Sequence, residues 1–62
     1  EECEEIYRWL YDNLDIISKD EDNQDKAVLI IKQGLVDHSF VADPEINLAS
    51  VMIKLARLSN GQ

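Results

Sequence analysis

A single cysteine, Cys3, leaves this 62-residue chain without an intrachain disulfide, so the covalent staple common in very small domains is excluded. One histidine, His38, far along the chain from Cys3, does not complete the ligand set of a structural zinc site. No apolar run approaches the roughly 18 residues of a membrane span, and no membrane partner is expected. Basic residues are scarce: six Lys and Arg stand against 13 Asp and Glu, for a net charge of -7. Phosphate contact rewards the opposite balance, so no direct nucleic-acid partner is expected. The acidic start does not resemble the basic opening of a signal peptide. A reduced, cytoplasmic setting is therefore the expectation, and a chain without an initiator Met reads as processed or excised.

These absences narrow what can hold the chain together. At this length one core is barely sufficient, because apolar burial and lost chain entropy nearly cancel. With no disulfide and no metal set, association with another protein is the support that remains.

What is present is helical. Cys3, Ile6, Tyr7, Leu10, Leu14 and Ile17 fall on one face of a helix expected over residues 2–18. Within that set Cys3, Tyr7, Leu10, Leu14 and Ile17 step by four, three, four and three, the spacing of a coiled-coil seam. Across from it lies an acidic face of Glu1, Glu4, Glu5, Asp12 and Asp15, broken by Arg8 and Lys19. Glu4–Arg8, Arg8–Asp12 and Asp15–Lys19 are opposite charges one helical turn apart. The first turn is acidic, as the helix dipole favours.

A polar stretch, "SKDEDNQDK", separates this helix from a second, expected over about 23–34. Asp20 or Asp22 is the expected N-cap, and Gly34 followed by Leu35 has the form of a glycine stop. If Gly34 is carried inside the helix, at a cost of about 1 kcal/mol against Ala, the helix reaches Asp37 or His38. Residues 35–42 carry no clear signal. "AVLII" has the composition of a buried strand, but the chain offers no second strand to pair with it. The third helix, over about 44–59, opens most clearly: Asp43 as N-cap, Pro44 at the first position, then Glu45. Its expected inner face is Leu48, Ala49, Met52, Leu55 and Ala56, with Asn47, Ser50, Lys54 and Arg57 outward. The fold class is thus all-α: one small domain over 1–62, an antiparallel helical hairpin plus a third helix, assembled as a dimer.

Association, as a homodimer or docked on another protein, is expected from surplus apolar surface. Trp9 and Ile16 flank the first core stripe on one side and Tyr11 on the other. Leu29 and Val36 lie roughly opposite Ile31 on the second helix. On the third, Ile46, Val51, Ile53 and Leu58 widen the apolar arc to about 240° on an ideal wheel, where an arc little over 100° serves a monomer. The expected contact residues are Trp9, Tyr11, Ile16, Val51, Ile53 and Leu58. Scattered exposed apolar residues are ordinary, so the weight rests on their number.

Several sharper readings fail on their residues. Laid on a calcium loop from Asp20, the obligatory glycine position holds Asp25 and the bidentate glutamate position holds Ile31. His38 has no cysteine or serine placed to form a nucleophilic set, and reads as a loop residue or helix cap. Cys3 sits among glutamates, which disfavour a thiolate, and reads as a core residue. No catalytic set and no cofactor is expected.

A helix-turn-helix comparison finds too long a turn, and a last helix whose bases, Lys54 and Arg57, come late. The function expected is a small acidic interaction module, regulatory or adaptor in kind, that self-associates. Two alternatives stand behind it: an acidic inhibitor or nucleic-acid mimic docking on a basic protein, and a dimeric helix-turn-helix-like DNA-binding regulator. The charge is lopsided in support of the first alternative. Residues 1–25 hold ten acids and two bases, net -8, while residues 26–62 net +1.

Overall fold

The computed structural model describes residues 2–60. Among them the chain forms four α-helices and no strand: α1 (Glu2–Asp12), α2 (Leu14–Ile17), α3 (Glu21–His38) and α4 (Pro44–Ser59). They fold into a compact body with a radius of gyration of 11.1 Å. The longest helices, α3 and α4, form the principal contact, and α1 and α2 lie across them.

The helix expected over 2–18 is broken at Asn13. Its side-chain amide donates to the Trp9 carbonyl at 2.8 Å, the acceptor its own backbone N–H would reach in an unbroken helix. That N–H turns instead to Leu10 at 3.2 Å. A short polar side chain that bonds its own turn competes with the helix in this way. The chain restarts as α2, whose Leu14 and Ile17 still reach the core.

The polar stretch becomes the entry to α3. Ser18 Oγ accepts from the Asp20 N–H at 3.1 Å, and Gln24 Nε2 donates to the Ser18 carbonyl at 2.8 Å. Asp20 holds the N-cap position without a side-chain capping bond. Residues 21–25, read above against a calcium loop, are instead the first turns of a helix.

Gly34 does not stop α3; the helix continues to His38, and the boundary expected at 34 is corrected. A helix without the expected stop needs a reason for its glycine, and close approach supplies it. A Cβ at Gly34 would lie 2.6 Å from Val51 Cγ2 and 3.0 Å from Tyr7 Cε1. The missing side chain is what lets α1 and α4 press onto one point of α3.

α4 begins as expected. Asp43 Oδ1 accepts from the Glu45 and Ile46 N–H groups at 3.0 and 3.3 Å, and Pro44 follows the cap. Its inner face is a correction. Val51 and Leu55 are buried, with Leu48 and Leu58 packed half-buried against them, whereas Ala49, Met52 and Ala56 are exposed. Two apolar stripes run along α4 at helical spacing. The one that turns inward places Val51 against the Gly34 notch.

The core is small: Tyr7, Leu10, Ala27, Ile31, Val51 and Leu55. Cys3 packs against it half-buried, as its spacing implied, while Ile6 stays 39% exposed. Tyr7 is the largest fully buried side chain. Its hydroxyl accepts a hydrogen bond from Asn47 Nδ2 at 3.0 Å, and the same nitrogen donates to the Gly34 carbonyl at 3.0 Å. One amide therefore links α1, α3 and α4. A buried tyrosine needs a partner for its polar end, and Asn47, expected on the solvent side, provides it. His38, the last residue of α3, meets the Tyr7 ring edge-on, with ring centroids 6.1 Å apart.

Candidate interaction surface

On so small a core the surface remains rich in large apolar groups. Among the described residues eleven large hydrophobic side chains are exposed. They do not form one stripe, because each helix contributes from a different side.

On α1 the exposed group is Ile6, Trp9 and Tyr11. Trp9 is 53% exposed. With Ile6, Glu2 and Glu5 it lines an open surface depression, so its indole lies in an acidic rim. Tyr11 is held differently. The Arg8 guanidinium lies 5.5 Å from its ring centroid, and Arg8 Nε also pairs with Asp12 Oδ2 at 3.2 Å. Both carriers of that ion pair are well exposed, where such pairs contribute little stability. A groove between α1 and α3 runs beside Tyr11, floored by Tyr7, Val28, Ile31 and Leu35, with Lys32 at its edge.

The expected contact residues divide. Trp9, Tyr11, Ile16 and Ile53 are exposed. Ile16 stands on α2, beyond the break at Asn13, so the line expected to join it to Trp9 along one helix does not exist. Val51 is 3% exposed and Leu58 is packed against the core, so both serve the chain's own interior. Ile46 and Met52, by contrast, face solvent on α4 together with Ile53. Phe40, in the turn after α3, is 83% exposed; nothing in its periodicity marked it, because it belongs to no helix.

Of the acidic face, Glu4, Glu5, Asp12 and Asp15 are exposed, and Glu1 lies outside the described residues. Glu21, Asp22 and Asp25 extend the exposed acid into α3. Among the described residues no group of three or more His, Cys, Asp or Glu side chains could hold a metal ion, and no helix is long and apolar enough to cross a membrane.

The fold and surface thus define a small all-helical domain with an acidic segment and several uncovered apolar faces. No protein-family model, curated protein or solved structure matches the chain.

Proposed function

We propose that this chain is a small acidic protein–protein interaction module, regulatory or adaptor in kind, that self-associates. The carrying observation is the eleven exposed large hydrophobic side chains on a chain of this size. So many large apolar groups left exposed on one small chain suit faces that another chain covers. Trp9, on α1, suits an anchor for a further protein, since an indole buries much area for little lost freedom. Ile53 supplies apolar area on α4.

A second reading is favoured by the acid around Trp9. An indole ringed by Glu2 and Glu5, on a segment that nets -8, fits a basic protein surface, as an inhibitor or phosphate mimic would. The two readings differ in salt dependence, because screening weakens exposed charge pairs and leaves apolar contact largely intact. Absolute mass by light scattering on a sizing column, at low and high salt, tests the first. A dimer that survives salt is expected. A monomer at every concentration removes self-association and leaves Trp9 fluorescence as the reporter of a basic partner.

A further inference from the structure

Resting on self-association as proposed above, we infer that two copies pair through antiparallel α4 helices along a seam of Ile46, Ala49, Ile53 and Ala56. These residues recur at three-four-three spacing, and their face lies roughly 160° around the helix from the core stripe of Leu48, Val51, Leu55 and Leu58. All four are exposed, Ile46 at 69% and Ile53 at 56%.

The seam alternates large and small. In an antiparallel pair centred between Ala49 and Ile53, Ile46 faces Ala56 of the second copy and Ala49 faces Ile53. Each layer then holds one isoleucine and one alanine, so the helices approach closely and evenly. A parallel pair would set Ile on Ile and Ala on Ala, leaving voids at the alanine layers.

Charge suits the same face. Residues 1–25 net -8, whereas residues 43–62 hold Asp43, Glu45, Lys54 and Arg57 and net zero. Glu2 lies beside Asp43 and Glu45 at the start of α4, and an antiparallel pairing keeps these acidic ends of two chains of -7 apart. The acids lie at the start of α4 and the bases toward its end. An antiparallel arrangement therefore brings Arg57 toward Asp43 of the second copy and opposes the two helix dipoles favourably. The acidic rim of Trp9 is left outward, free for a different protein. One helix from each copy makes a small seam beside a standard interface of about 1,600 Å², so the dimer should depend on concentration.

The test is absolute mass of the full chain from micromolar to millimolar concentration, with helicity checked by circular dichroism. Wild type should rise toward twice the 7.1 kDa of the chain. Ile53→Glu should weaken association by about a hundredfold or more, and Trp9→Glu should leave it unchanged. In a Cys3→Ser background, Met52→Cys should be joined to its own copy by a short bis-maleimide. Ile46→Cys should not, because antiparallel pairing sets its two copies roughly 15 Å apart along the axis. A dimer lost in Trp9→Glu but kept in Ile53→Glu overturns the α4 seam and leaves self-association standing. Joining at Ile46→Cys but not at Met52→Cys overturns the antiparallel register. A wild-type monomer throughout overturns both proposals.

Discussion

Asn47 Nδ2 donates to the Tyr7 hydroxyl at 3.0 Å, across forty positions of chain. The bond joins the start of α4 to the centre of α1, and its nitrogen also reaches the Gly34 carbonyl on α3. Three helices with few core residues thus share one polar node, placed where the helices come closest.

Removing the hydroxyl tests this node gently. Tyr7→Phe keeps the ring in the core and leaves Asn47 its bond to Gly34, so a loss of about 1 kcal/mol is expected. Asn47→Ala strips partners from both Tyr7 and Gly34 and should cost more. Urea unfolding of the two single variants and the double variant should give a less-than-additive total, since they share a bond. Strict additivity would mean the bond does not form.

Gly34→Ala should destabilise, although alanine is the better helix former by about 1 kcal/mol. The added methyl meets Val51 Cγ2 at 2.6 Å and the Tyr7 ring at 3.0 Å. Val51 is buried and stiff at its branched carbon, so relief requires the helices to separate. Overpacking of about 1–3 kcal/mol outweighs the propensity gain. A melting temperature above that of the wild type would refute the close approach of α3 and α4.

Alkaline pH should also loosen the core. Burial pushes the Tyr7 phenol above its ordinary value of 10.0, Cys3 and Asp37 add to the rise, and the Asn47 hydrogen bond partly opposes it. Since the folded value is the raised one, the phenol's contribution is whole below about pH 10, the unfolded value. It is lost as pH climbs toward the folded value, because only the unfolded chain ionises freely there. Denaturant midpoints compared between wild type and Tyr7→Phe should separate the effect: the difference between them should be constant near neutrality and shrink above about pH 10.

Asp43→Ala should cost about 1 kcal/mol. Two N–H groups of α4, those of Glu45 and Ile46, lose their acceptor. Asp43→Ser should recover most of the loss in the same unfolding experiment, since a hydroxyl can accept the same bonds. Failure of serine to rescue would point to the charge at the helix start rather than to the cap.

The opening of α4 was legible because capping is local: Asp43, Pro44 and Glu45 carry their meaning within one turn. So were the helical character of the chain and the inward positions of Tyr7 and Leu10. The break at Asn13 was not legible, although an asparagine within a helical run was the available sign. Asn47 was hidden for a similar reason. A lone polar residue near a helix start looks solvated unless the tyrosine it serves can be placed beside it.

What the sequence by itself determined was helical periodicity, the capped start of α4 and the lopsided charge, each a property of neighbouring residues along the chain. Only the tertiary structure decided which of α4's two apolar stripes turned inward, and why α3 carries a glycine four residues before its end. Periodicity makes two faces of one helix apolar without ranking them. The choice belongs to the shape across the interface, where Gly34 leaves room for Val51 and the buried Tyr7 hydroxyl needs Asn47.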